Sequence, residues 1–208
     1  MNVLRRHSLV LVGAVALALV AARPVTAGAP TDMLKGNVDR IIKLLEDPEL
    51  KGRPKDRRAA VRKMAGEIFD VGETARRSLA RHWQARTPTE REEFVQLFGD
   101  LLEVSYISKI ELYGGEKIVY SGDTIDGEQA TVRTKLITKQ GSEVPVDYRM
   151  LKRGEKWMVY DVVIEGVSLV SNYRTQFNKI IQTSSYEELV KKLKTKQDEF
   201  LSNEKRTG

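Results

Sequence analysis

Apolar residues in the first half of the chain recur at helical spacing. Over 31–46 they fall at intervals of three and four, which predicts an amphipathic helix. Pro54 suits the first turn of a second helix, and Asp70 with Glu73 three residues later is typical of an N-terminal cap. The region 31–114 is therefore predicted to be helical. The apolar stripe of its first helix comprises Leu34, Val38, Ile41, Ile42 and Leu45.

The clearest local signal is Thr87-Pro88-Thr89-Glu90, which combines a capping box with proline at the first helical position. A long central helix is expected to begin there and to end at Gly114-Gly115. Its apolar side chains cover more than a narrow stripe, so this helix needs packing partners on two sides. They include Phe94, Leu97, Phe98, Leu101, Leu102, Tyr106, Ile110 and Tyr113.

After Gly115 the pattern changes to a period of two. Four β-rich runs separated by turn residues predict a four-stranded antiparallel meander over 117–164. Pro145 indicates that the third strand lies at an edge or carries a bulge. The last run, 156–164, is apolar at nearly every position, so both of its faces should be covered.

Two further helices are predicted within 167–201. The apolar residues of the first, such as Tyr173 and Phe177, have helical spacing, and Ser184 with Glu187 predicts the cap of the second. Helices followed by an antiparallel sheet predict one α+β domain over 28–208.

The first 27 residues have the layout of a secretory signal. Arg5 and Arg6 give a basic start, 9–22 is apolar, and Val25-Thr26-Ala27 supplies small residues for cleavage. We expect a signal peptide over 1–27, export by the Sec route and a soluble mature chain. The twin-arginine route is the alternative, although Ser8 stands where that signal prefers phenylalanine.

Composition excludes several classes of function. The chain has no cysteine, so no disulfide framework exists. Its net charge of +6 falls to about +3 once the leader is removed, and basic residues alternate with acidic ones, which argues against nucleic-acid binding. His82 is the one imidazole outside the leader, and we expect it to be structural. No phosphate-binding or dinucleotide motif is present, so neither metal nor cofactor is expected.

Asp161 has an unusual position, because it is a carboxylate within an otherwise apolar strand. A carboxylate in an apolar strand must be paired, protonated or exposed to a cavity. We favour a structural ion pair with Arg174, or else Arg76, that ties the sheet to a helix. The alternative is an acid or base in an enzyme with a cone-shaped fold.

The run from Trp157 to Phe177, WMVYDVVIEGVSLVSNYRTQF, resembles the signature of the MlaC, or toluene-tolerance, family of periplasmic phospholipid carriers. The segment 87–94, Tyr106 and Tyr113-Gly114-Gly115 are similar to the central helix of that family. The resemblance implies a fold like the cone of nuclear transport factor 2 (NTF2), in which a curved sheet and helices enclose an apolar lipid pocket. It also implies two partners, an inner-membrane ABC transporter complex with an MCE-domain ring and an outer-membrane lipoprotein complex.

These expectations describe a monomeric, non-enzymatic periplasmic carrier of diacyl phospholipid that maintains the lipid asymmetry of the outer membrane. Two alternatives remain: an NTF2-like enzyme that uses Asp161, and an adaptor that binds proteins alone. The wide apolar arc of the central helix, opposite a strand that is apolar on both faces, predicts the wall of the lipid pocket. That wall comprises Leu102, Tyr106, Ile110, Val132, Leu136, Val146, Tyr148, Val159 and Val163.

Overall fold

A computed structural model describes residues 28–206; the predicted signal peptide, 1–27, lies outside them. The fold is α+β, as the pattern predicts. The helices are α1 (Ala29–Glu46), α2 (Pro48–Lys51), α3 (Pro54–Ile68), α4 (Val71–Leu79), α5 (Pro88–Glu111), α6 (Leu169–Thr183) and α7 (Tyr186–Arg206). The strands are β1 (Lys117–Asp126), β2 (Gln129–Ile137), β3 (Glu143–Arg153), β4 (Lys156–Ile164) and β5 (Val167–Ser168).

The sheet is an antiparallel meander in the order β1-β2-β3-β4-β5, so the short β5 adds one strand to the four predicted. The expectation that Pro145 marks an edge strand or a bulge in β3 is wrong, because β3 lies between β2 and β4 and the extra residue of the β3–β4 pair lies on β4. Pairing of β3 with β4 stops at Val146, and the carbonyl of Pro145 accepts a hydrogen bond from the backbone N–H of Glu165. The missing N–H of Pro145 therefore falls just beyond the end of β4, where it interrupts no regular pairing.

A bulge in β1 decides which side chains face the helices. Tyr120 pairs with Thr134 and Asp123 pairs with Val132, so β1 has one residue more than β2 over this stretch. Gly122 lies in the extra segment at φ 92°, a conformation that glycine adopts without strain. Because of the bulge, Tyr120 and Asp123 both point to the inner face of the sheet, the face that α1 covers.

A second bulge, at Tyr160 in β4, has the opposite effect on Asp161. Arg149 pairs with Asp161 and Met150 pairs with Val159, which leaves Tyr160 without a partner on β3. Val159 consequently faces inward, whereas Asp161 faces the outer side of the sheet. The ring of Tyr160 lies beneath the guanidinium of Arg77, 4.0 Å from its centre.

The helices cover β4 on both faces, as its apolar run predicts. On the inner face, α1 and α3 pack against the sheet, and Leu34 and Ile68 share a buried cluster with Val132, Met150 and Val159. On the outer face, α4 and α6 contact β4. No helix within 28–206 is both long and apolar enough to cross a membrane.

The central helix α5 has the two sets of partners that its wide apolar arc predicts. Near its start, Phe94 and Phe98 pack with Phe177 in a cluster built by α4, α5, α6 and α7. Near its end, Ile107 packs with Leu45 and Val61, which belong to α1 and α3. This helix therefore joins the helical half of the molecule to the half that contains the sheet.

Side-chain caps mark the starts of α4, α5 and α6. Thr87 and Glu90 form both hydrogen bonds of a capping box, and Asp70 accepts from the backbone N–H of Glu73, as predicted. The predicted cap of α7 is one residue off, since Ser185 rather than Ser184 accepts a hydrogen bond from the backbone N–H of Glu188.

Candidate functional site: an apolar cavity between helix α1 and the sheet

A cavity of about 480 Å³ lies between α1 and the inner face of the sheet. Leu34 and Ile68 are buried at one end, while the exposed Leu112 and Gln140 mark the end that opens to solvent. Most of the lining is apolar. It comprises Leu34, Val38, Ile41, Ile42, Leu45, Ile68, Phe69, Ile110, Leu112, Tyr113, Glu116, Ile118, Leu136, Thr138, Gln140 and Tyr148.

A second depression, of about 510 Å³, lies between α5 and α7 and has a different character. Its wall carries carboxylates such as Glu90 and Glu93 together with Lys191 and Lys194. Lys194 and Glu93 form an ion pair of 2.7 Å across it. Such a charged groove offers little to an apolar ligand, so the cavity under α1 is the better candidate for a binding site.

Helix α1 is held over the cavity by Asp123. The carboxylate of Asp123 accepts hydrogen bonds from the backbone N–H of Gly28 (3.1 Å), the backbone N–H of Thr31 (3.0 Å) and the hydroxyl of Thr31 (2.6 Å). A negative charge at the start of a helix also interacts favourably with the helix dipole. The bulge in β1 thus provides the anchor for the helix that roofs the cavity.

The structure brings three of the nine predicted pocket residues together on the cavity wall, namely Ile110, Leu136 and Tyr148. Val132 and Val159 do not line it, because α1 and α3 pack directly on them and bury them completely.

The other four predicted residues also lie outside the cavity lining. Leu102 packs against the helical cluster around Phe98, and Tyr106 interacts with Tyr173 on α6. Val163 pairs with Asp147 and Ser168 on the outer face, because the bulge at Tyr160 reverses the alternation of β4. Val146 faces inward but is already buried in the sheet.

Sequence reasoning missed the main wall, which is helix α1. Its apolar stripe is the signal that could have identified the wall. Five residues of α1 line the cavity: Leu34, Val38, Ile41, Ile42 and Leu45. An apolar stripe does not reveal which surface it packs against. The wider apolar arc of α5 favours that helix, rather than α1, as the wall of the cavity.

Three tyrosines supply hydroxyl groups in or beside the apolar cavity. The hydroxyl of Tyr113 donates to the carbonyl of Glu116 at 3.2 Å. Burial raises the pKa of Tyr148. Burial, and to a lesser extent the neighbouring Tyr148 and Asp39, raises the pKa of Tyr120 well above its ordinary value. The phenols of Tyr120 and Tyr148 are therefore protonated at neutral pH and available as hydrogen-bond donors.

Asp161 lies on the opposite face of the sheet from the cavity and is 3% exposed. Its carboxylate accepts hydrogen bonds from the hydroxyl of Ser168 (2.6 Å) and the backbone N–H of Val170 (3.0 Å), and it pairs with Arg149 at 3.1 Å. The predicted pairing with Arg174 is wrong, since the guanidinium of that residue donates to the backbone carbonyl of Arg77. Asp161 therefore links the sheet to α6 through Ser168 and the backbone N–H of Val170, at the start of the helix.

Other charged groups near α4 have structural partners. The buried carboxylate of Glu73 accepts hydrogen bonds from Arg76 and Arg77 at 2.6 to 2.8 Å. Burial alone would raise the pKa of Glu73, but these two arginines outweigh it and hold the pKa below its usual 4.5. His82 lies 3.0 Å from the amide oxygen of Asn178, away from the cavity.

The fold and the cavity together define an α+β protein with an apolar cavity between a helix and an antiparallel sheet. The model of the MlaC protein family matches residues 35–195. The chain belongs to the MlaC family, and the resemblance read from its sequence is confirmed.

Named relatives agree with this assignment. The toluene tolerance protein Ttg2D of Pseudomonas putida is 25% identical over 185 residues, 87% of this chain and 84% of that protein. The intermembrane phospholipid transport system binding protein MlaC of Haemophilus influenzae is 21% identical over 182 residues, 84% of this chain and 85% of that protein.

A solved structure has the same fold. It is the phospholipid-binding protein of Ralstonia solanacearum in complex with a phospholipid, with a TM-score of 0.71 and 23% sequence identity. The match covers 83% of this chain and 98% of that one. The predicted packing of helices on a curved antiparallel sheet is thereby confirmed.

Proposed function

We propose that this protein is a periplasmic carrier that binds a diacyl phospholipid in the cavity under α1. The carrier receives its cargo from one membrane complex and delivers it to another, and this traffic maintains the lipid asymmetry of the outer membrane. The observation that carries the proposal is the apolar cavity of about 480 Å³, open at the end marked by Leu112. Relatives named for phospholipid transport and phospholipid binding support it.

The cavity suits acyl chains better than polar ligands. Five aliphatic side chains of α1 form its roof, and Ile110, Ile118 and Leu136 line the side nearer the opening. Each methylene removed from water contributes about 0.8 kcal/mol, so covering a chain is strongly favourable compared with water. In a bilayer the same chain is also shielded from water, so the free energy of transfer between membrane and carrier is close to zero. Transfer therefore needs no chemical step.

The charged headgroup of the lipid stays at the opening, where it keeps its hydration, and the acyl chains lie between α1 and the sheet.

The proposed partners are an inner-membrane ABC transporter complex with an MCE-domain ring and an outer-membrane lipoprotein complex. Membership of the family and a relative named for an intermembrane phospholipid transport system support this proposal. The exposed Leu112 stands at the opening and gives a partner an apolar contact at the point where lipid enters.

Lipid analysis of the protein purified from the periplasm tests the proposal. Mass spectrometry of the extract should find about one diacyl phospholipid per protein, and Val38→Glu should lower that amount because it puts a charge against the acyl chain. Val119→Glu is the matched control, since Val119 is exposed on the outer face of the sheet. A wild-type protein without phospholipid would refute the carrier function and favour a protein-only adaptor.

A further inference from the structure

Tyr120 and Tyr148 form a pair of phenols at the middle of the sheet. They lie on β1 and β3, on either side of β2, where their register partners are Thr134 and Val132. Both side chains pack against the cluster around Leu34. Both point to the inner face, where Tyr148 lines the cavity and Tyr120 lies beside it.

The hydroxyl of Tyr120 is buried and has no hydrogen-bond partner among the described residues. The ring of Tyr148 lines the cavity wall. Thr134, the polar neighbour between them, donates its own hydroxyl proton to the carbonyl of Val146 at 2.7 Å, and no hydrogen bond joins it to Tyr120. A buried phenol without a partner is costly, so a hydroxyl kept in this position indicates a partner that arrives with the ligand.

The geometry points to a polar subsite at Tyr120 and Tyr148 that donates hydrogen bonds to an ester carbonyl of the bound glycerolipid. This inference rests on the proposed function and names the part of the lipid that the cavity recognises. Recognition of the ester linkage fixes how deeply the lipid enters, because it holds the glycerol backbone between the apolar chains and the solvated headgroup.

A neutral acceptor fits this subsite better than the phosphate does. Burying a phosphate among Leu34, Val38 and Ile68 would carry a large desolvation cost. The ester carbonyl is an uncharged acceptor and lies next to the acyl chains in the lipid itself.

Competition between ester-linked and ether-linked lipids tests the subsite. The purified protein is incubated with vesicles that contain equal amounts of dioleoyl phosphatidylglycerol and its diether analogue, and the bound lipids are quantified by mass spectrometry. One hydrogen bond contributes about 0.5–1.5 kcal/mol, so the wild type should load the diester about 2- to 12-fold over the diether. Tyr120→Phe and Tyr148→Phe should each reduce this preference, and the double variant should abolish it.

Tyr113→Phe is the matched control, because Tyr113 also lines the cavity but its hydroxyl already donates to Glu116. This variant should keep the preference of the wild type. Equal loading of the two lipids by the wild type, or an undiminished preference in the double variant, would overturn the subsite while leaving the carrier function intact. Failure to load either lipid would overturn the carrier function itself.

Discussion

The carboxylate of Asp161 and the backbone N–H of Val170, 3.0 Å apart, join strand β4 to the first turn of helix α6. The same carboxylate accepts from the hydroxyl of Ser168, which in turn caps the helix by accepting from the backbone N–H of Ser171. One buried acid thus organises the turn between the sheet and α6. The half-exposed Arg149 balances its charge from the neighbouring strand.

Asp161→Asn should destabilise the protein, because an amide cannot accept all of the hydrogen bonds that the carboxylate accepts. We expect a loss of about 1–3 kcal/mol in the free energy of unfolding, measured by urea denaturation. Arg149→Met should cost at least about 1 kcal/mol more than Arg174→Met, since Arg149 is the ion-pair partner. Equal losses in the two arginine variants would contradict the assignment of the pair.

Asp123→Ala should loosen helix α1 without unfolding the sheet. Loss of an N-terminal cap costs about 0.5–2 kcal/mol, and Asp123 accepts three hydrogen bonds there. Amide hydrogen exchange over residues 29–46 should become faster, while exchange in β2 and β3 should change little. Asp126→Ala, at the exposed end of the same strand, is the control. Unchanged exchange in α1 would refute the anchoring role of Asp123.

Glu73 makes part of the stability dependent on pH. Because its folded pKa is depressed, the carboxylate contributes stability that is present above the unfolded value near 4.5 and is lost as the pH falls through the folded pKa. Glu73→Gln should therefore cost about 1–2 kcal/mol at pH 7, and the difference from the wild type should shrink progressively below pH 4.5. Thermal melts of both proteins between about pH 3 and about pH 7, in steps of about one pH unit, measure this difference in stability. A difference that stays constant down to the lowest pH would contradict the role of the charge.

Loading with a two-chain lipid should move α1 away from the sheet, because α1 packs directly on the sheet at Leu34 and two acyl chains need more room between them than one chain does. The chain has no cysteine, so spin labels can be attached at Lys43→Cys on α1 and Arg133→Cys on the outer face of β2. The distance between the labels should increase with a diacyl phospholipid and increase less with a lysophospholipid. Identical distances for both lipids would show that no separation is needed.

The elements could be predicted from the sequence because their signals are local. Thr87 and Glu90 form the predicted capping box, and Asp70 caps α4 through Glu73, since each cap depends on residues three positions apart. The alternation of apolar and polar residues predicted strands β1 to β4 for the same reason. These predictions did not require knowledge of the tertiary contacts.

The site could be predicted only in part because its geometry depends on two bulges. One extra residue at Tyr160 turns Asp161 and Val163 to the outer face, and one extra residue beside Gly122 turns Asp123 inward to hold α1. A hydrophobic pattern does not reveal a single inserted residue, yet each insertion reverses every later side chain in its strand. This is why the pattern places Val163 in the cavity, although its side chain faces the outer side of the sheet.

Photo-cross-linking of bound lipid tests the central claim most directly, namely that acyl chains lie between α1 and the sheet. The protein is loaded with a phospholipid that carries a diazirine along one acyl chain, irradiated and digested, and the labelled residues are identified by tandem mass spectrometry. We predict labels on Val38, Ile41 and Ile42 of α1 and on Leu136 and Tyr148 of the sheet. Labels confined to the helical cluster around Phe94 and Phe98 would contradict the account.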